Sequence, residues 1–174
     1  MDILSGKLYL IEERVPLRTH QLLRKELARG RAGLYISKHS RNQLGTQFDL
    51  VSEPLETQWL SPRPEDCCIP PMNLMKFEEN VKEFLNQHHN GIIILNGMDV
   101  LEKWNGHRPV LEMVKKIQKE MGEGANFIIS LDPKSHHQTS MDALEKISDE
   151  VVYPAIKISS LEEKIDYDQD TAQT

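Results

Sequence analysis

Cysteine, long apolar runs and clustered aromatics are all scarce in these 174 residues, and each shortage removes a class of function. The two cysteines, Cys67 and Cys68, are adjacent. That spacing strains a mutual disulfide and leaves a zinc site short of ligands, so reduced thiols and no bound metal are expected. The pairs His88-His89 and His136-His137 come with no carboxylate or cysteine at a recognised metal spacing. Neighbouring histidines on a helix point about 100° apart, so solvated histidines are expected. No apolar run approaches the ~20 residues that span a bilayer. The longest, Ile92 to Leu95, reads as a buried strand, and no membrane contact is expected. The opening Met1-Asp2-Ile3-Leu4-Ser5-Gly6 has neither the basic region nor the apolar stretch of a signal peptide, so a cytoplasmic location is expected.

Glycine is missing where a phosphate-binding turn would need it. Leu8-Tyr9-Leu10-Ile11 reads as a strand that runs through a turn into a helix beginning near Thr19, the layout of the pattern G-x-x-x-x-G-K-S/T. At that register Glu12 and Leu17 replace the two glycines and Arg18 replaces the lysine; only Thr19 fits. A phosphate cradle needs backbone N–H groups in conformations that glycine adopts cheaply, and Glu12 would add negative charge beside the phosphates.

What is present is ordinary in amount and uneven in placement. The apolar fraction of 39% and charged fraction of 28% suit a globular protein, and the length suits one domain, read as residues 1–158. The net charge of −6 hides an asymmetry: residues 14 to 41 carry eight basic side chains against the single acid Glu26, a net +7, so the rest of the chain carries −13. From Leu161 onward five acids and one lysine occur with a single aromatic, Tyr167. Residues 159–174 therefore read as an acidic, disordered tail.

Strand-type and helix-type patterns alternate along the chain. Tyr9–Ile11, Leu34–Ser37, Thr57–Ser61, Gly91–Leu95 and Phe127–Leu131 read as strands. A last strand near Val151–Ile158 contains Pro154, which places it at an edge or breaks it. Between them lie amphipathic helices. Leu22, Leu23 and Leu27 face inward on one whose outer face carries Arg18, Lys25 and Arg29; Leu74, Phe77, Val81, Phe84 and Leu85 mark a second. Val110, Leu111, Val114 and Ile117 mark a third that starts near Pro109, and Met141–Ile147 a fourth. The alternation predicts a three-layer α/β/α domain with a mostly parallel sheet. Ligands in such folds sit at the carboxyl ends of strands, which directs attention to Glu12–Arg18, Ser37–Arg41, Ser61–Arg63, Asn96–Asp99 and Asp132–Lys134.

Several of these segments, in this order and separation, resemble one family. They are Gly6-Lys7-x-Tyr9-Leu10-Ile11-Glu12-Glu13, Gly33-Leu34-x-Ile36-Ser37, Trp59-Leu60-Ser61, Ile69-Pro70-Pro71 with Leu74, Leu95-Asn96-Gly97 and Ile129-Ser130-Leu131-Asp132-Pro133. Together they look like the archaeal domain of unknown function 835 over about residues 6 to 150. The resemblance implies a RecA/KaiC-like core, related to the P-loop NTPases, whose phosphate loop is lost, found alone or joined to signalling modules and with no established activity. Where that family usually has an aspartate after the central strand, this chain has Asn96. The carboxylate that would hold Mg²⁺ through water is therefore absent, and Asp99, three positions on, could replace it only with a different geometry.

The reading that follows is a non-enzymatic regulatory or scaffolding module with a degenerate nucleotide site, no cofactor, no metal and no catalytic residues. A protein partner or self-association is expected, served by the basic segment and the acidic tail. The candidate ligand or partner surface comprises Arg14, Arg18, Thr19, Lys25, Arg29, Lys38, Arg41, Asn96, Asp99 and Asp132. An alternative is anion or nucleic-acid binding through the basic segment, which would be strongly salt-dependent. It is opposed by the overall acidity and by Tyr35 being the segment's one aromatic. An enzyme would have to use Glu12, Glu13, Asp99 and Asp132 as acid and base, although acids at strand ends are common without chemistry.

Overall fold

Ile92-Ile93-Ile94-Leu95 is the middle of the molecule: it opens β5 (Ile92–Asn96), which has three strands on either side of it. The computed structural model describes residues 1–48 and 55–154. Its other strands are β1 (Leu8–Glu12), β2 (Gly33–Ser37), β3 (Leu55–Leu60), β4 (Cys68–Ile69), β6 (Asn126–Leu131) and β7 (Glu150–Val152). The helices are α1 (Leu17–Ala28), α2 (Arg41–Phe48), α3 (Leu74–Gln87), α4 (Met98–Asn105), α5 (His107–Glu120) and α6 (Gln138–Ile147). A 3₁₀ turn at Pro133–Ser135 follows β6. The strands run in the order β4-β3-β2-β5-β6-β1-β7, and every pairing is parallel.

Alternation along the strands divides the apolar side chains between two cores. Leu8 and Leu10 of β1, Leu34 and Ile36 of β2, and Ile93 and Leu95 of β5 meet α3, α4, α5 and α6 through residues such as Phe77, Leu101, Val114 and Leu144. Tyr9, Ile11, Tyr35, Ile92 and Ile94 point the other way and meet α1 and α2 through Leu22, Leu23 and Leu44. Covering both faces is what makes the central strands read as unbroken apolar runs. Each large side chain removed from water in this way contributes about 1.5–3 kcal/mol.

The architecture agrees with the sequence reading, with the sheet wholly parallel among the described residues. Four short elements had no sequence signal: α2, β4, α4 and the 3₁₀ turn. The helix α2 buries only Leu44, so it has no apolar stripe to detect. The predicted helix starting near Pro109 begins two residues earlier, and α4 precedes it across a single residue, Gly106, whose φ of +82° ends one helix and starts the next. The last strand is three residues long and lies at the sheet edge, as Pro154 implied. Its predicted extension to Ile158 and the predicted 159–174 tail lie outside the described residues.

Candidate functional site

The carboxyl ends of β1, β2, β5 and β6 border a crevice of about 290 Å³. Glu13, Arg14 and Pro16 line it after β1, Lys38 and His39 after β2, Asn96 and Asp99 at the end of β5, and Asp132 and His136 after β6. The helix α1 crosses from β1 to β2 on one face, whereas the connection from β6 goes to β7 on the other. The crevice thus opens where neighbouring strands send their connections in opposite directions, the place where open α/β sheets hold ligands.

The wall formed by α1 shows how the turn after β1 is satisfied. Pro16 precedes the helix and offers no side-chain cap. The Glu13 carboxylate takes that role, accepting the backbone N–H of Arg18 through Oε2 and of Thr19 through Oε1, both at 3.2 Å. These are orphan amides of the first helical turn, where a negative charge also meets the positive end of the helix dipole. Burial pushes the Glu13 carboxyl up from its ordinary value, against the hydrogen bonds from Thr19 and Arg18 and the Arg18 charge. The Arg18 guanidinium lies 3.6 Å from Glu13 and donates to the carbonyl oxygen of Tyr153 at 2.6 Å, tying α1 to the segment after β7.

Beneath the crevice lies a buried polar layer. His20 Nε2 and the Tyr35 hydroxyl are 2.6 Å apart, and the Asn96 amide donates to the same hydroxyl at 3.4 Å. Burial is the main cause that pushes His20 down to about 4, with the nearby Arg24 and His39 charges adding to it, so the ring is neutral at pH 7. Tyr35 is raised by the same burial. Asn96 therefore ends β5 as a neutral amide in a hydrogen-bonded layer. Asp99, half-exposed, is paired with Lys38 at 3.1 Å.

On the β6 side the Glu102 carboxylate of α4 bridges two histidines, with Nδ1 of His107 and of His136 each at 3.2 Å. Burial works to raise the Glu102 carboxyl, but the hydrogen bonds from His136 and His107 outweigh it and hold it below its usual value. His136, expected in solvent, has a side chain only 2% exposed. The pair His136-His137 carried no sign of this, because Glu102 is 34 residues away in sequence. Asp132 caps the 3₁₀ turn, accepting the Lys134 N–H at 3.0 Å.

The fold divides the candidate surface among three places. Arg14, Lys38, Asn96, Asp99 and Asp132 line the crevice, and Arg18 and Thr19 stand at the adjoining helix start. Arg41 lines a neighbouring groove with His39, Trp59 and Cys67. Lys25 and Arg29 lie toward the far end of α1, where both meet Asp2 and Arg29 also pairs with Glu26. Of the four acids considered for chemistry, Glu12 and Glu13 are buried at the end of β1, and Glu13, Asp99 and Asp132 border the crevice. Among the described residues, no helix is long and apolar enough to cross a membrane.

The fold has solved counterparts. A KaiC-like protein from the hyperthermophilic archaeon Pyrococcus horikoshii is similar over 84% of this chain and 71% of its own, with a TM-score of 0.61 and 14% identity. A second protein from the same organism is similar over 86% of this chain and 82% of its own, with a TM-score of 0.63 and 14% identity. At that identity the likeness establishes the RecA/KaiC-like fold alone. No curated protein matches the sequence. Residues 16–147 match the family described as a protein of unknown function, DUF835. That match spans most of the chain, and the protein belongs to the DUF835 family.

Proposed function

We propose that this domain is a regulatory or scaffolding module whose nucleotide site has degenerated, acting through contact with a protein partner and not through catalysis. One observation carries the reading: the Glu13 carboxylate occupies the amides of Arg18 and Thr19 at the start of α1. A helix start after the first strand offers these donors to a phosphate. Here an acid of the same chain takes them, and an incoming phosphate would meet both its charge and the loss of its hydrogen bonds. Pro16 supplies no N–H to the turn, and Asn96 stands where a metal-holding carboxylate would.

The distribution of basic residues supports a protein over a nucleic acid. Arg18, Lys25, Arg29, Arg31 and Lys38 each lie within ion-pair distance of an acid of the same domain, which lowers the counterion release that drives polyanion binding. Beside the crevice Val15 and Leu17 are exposed, so the rim combines apolar and charged groups as protein contacts do.

Calorimetric titration with ATP–Mg²⁺, paired with a thermal-shift measurement, tests the proposal. No heat of binding and no gain in Tm are expected. Saturable heat with a rise in Tm would overturn the degenerate-site reading, because any ligand bound only by the folded state must stabilise it.

A further inference from the structure

We infer that the turn from Glu65 to Cys68 is a binding site for a thiophilic divalent cation of the zinc type, held by the two cysteine sulfurs and the Glu65 carboxylate. Two adjacent cysteines alone are too few ligands, and it is the fold that adds the third. Among the described residues these are the one group of three potential ligands whose donor atoms lie together, all within 4.8 Å of one another.

The backbone holds the group in place. The Cys68 N–H donates to the Glu65 carbonyl at 3.0 Å, closing a four-residue turn, and the Trp59 N–H donates to the Cys67 carbonyl at 2.8 Å. Cys68 is paired with Trp59 in the β3–β4 ladder. Glu65 is thereby folded back over the thiols, and Cys67 Sγ lies 3.8 Å from its Oε2. Around a tetrahedral zinc ion, bond lengths near 2.3 Å to sulfur and 2.0 Å to oxygen set donor separations of roughly 3.5–3.8 Å. The Cys67–Glu65 sulfur–oxygen distance of 3.8 Å is only slightly longer than the roughly 3.5 Å that such a tetrahedron sets between sulfur and oxygen, and the remaining closure is within reach of a turn at the sheet edge.

Charge and access agree. Two thiolates and a carboxylate bring three negative charges, which a divalent cation and the neighbouring Arg63, stacked 5.2 Å over the Trp59 ring, neutralise. A groove of about 370 Å³ lined by Glu65, Cys67 and Trp59 leaves a fourth position open to water. A bound cation displaces the thiol protons outright, so affinity rises with pH.

The test is a titration of the reduced, metal-free full chain with Co²⁺ under anaerobic conditions. One Co²⁺ per chain is expected, with thiolate-to-cobalt charge-transfer absorption that Zn²⁺ bleaches and that strengthens as pH rises. Cys67→Ser and Glu65→Gln should each weaken binding at least about tenfold. Both side chains are exposed, so circular dichroism should show both variants folded. Absence of the charge-transfer band, a stoichiometry of one ion per two chains, or an unchanged affinity in both variants would overturn the site.

Discussion

The two ends of the sheet use the same kinds of side chain for opposite purposes. At the amino end, arginine and asparagine are spent on the backbone. Arg31 donates to the carbonyls of Asn90, Gly91 and Gly124 and pairs with the buried Glu26, while the Asn126 amide donates to the Leu4 and Lys7 carbonyls. Asp149 accepts the Leu8 N–H at 2.7 Å. At the carboxyl end the polar groups surround an open crevice above the His20–Tyr35–Asn96 layer, and several meet only side chains there. Charge count therefore says little about function in this fold. Whether a charged group faces a carbonyl or a cavity decides whether it is available to a partner.

That contrast can be broken by substitution, and the largest effect belongs at the amino end. Arg31→Met removes the donors to three carbonyls and strips Glu26, whose side chain is 4% exposed, of one of its two cations. A loss of about 3 kcal/mol in urea unfolding is expected, since three backbone carbonyls lose a charged donor and the buried Glu26 keeps only the more exposed Arg29. A change below ~1 kcal/mol would mean that the amino end is no more committed than the crevice.

The buried layer should respond to acid. Because the folded pKa of His20 lies below its ordinary 6.5, its contribution is fully present above pH 6.5 and is lost as pH falls through about 4. Across that window the wild type should lose about 2–3 kcal/mol relative to His20→Phe, read from denaturant midpoints. Glu13 has the opposite sign: its raised pKa means that stability is present below 4.5 and lost as pH rises through the folded value. Glu13→Gln should therefore show a steeper acid loss than the wild type, and a shallower one would contradict the burial of that carboxylate.

The smallest effect belongs to the crevice rim. Lys38→Met and Asp99→Asn each remove one member of a pair whose side chains are both 37% exposed, so thermal unfolding should shift by less than about 0.5 kcal/mol. A cost comparable to that of Arg31→Met would erase the distinction between the two ends.

Much of the fold was legible because burial writes itself along the chain. The central strand announced itself as Ile92–Leu95, and α3 showed its inward face through Leu74, Phe77, Val81 and Phe84. The short elements were silent: two residues of β4 and one buried leucine in α2 are too few for a period to emerge. For the candidate site, the strand ends could be named in advance, yet which polar groups meet there could not. Glu13 was visible as an acid but not as a cap, since its amide partners lie five and six residues on across a proline turn. His136 was read as solvated because its partner Glu102 is distant in sequence.

The sequence by itself determined the α/β layering, the family and the loss of glycine from the turn after β1, because periodicity and residue identity are local properties. Only the tertiary structure decided what each charged or sulfur-bearing group faces. It placed Glu13 on the helix start, divided the basic segment between two ends of the sheet and brought Glu65 over Cys67 and Cys68. The physical reason is that electrostatic and coordinate bonds act through space over a few ångströms, and the topology of a parallel sheet sets which side chains come that close.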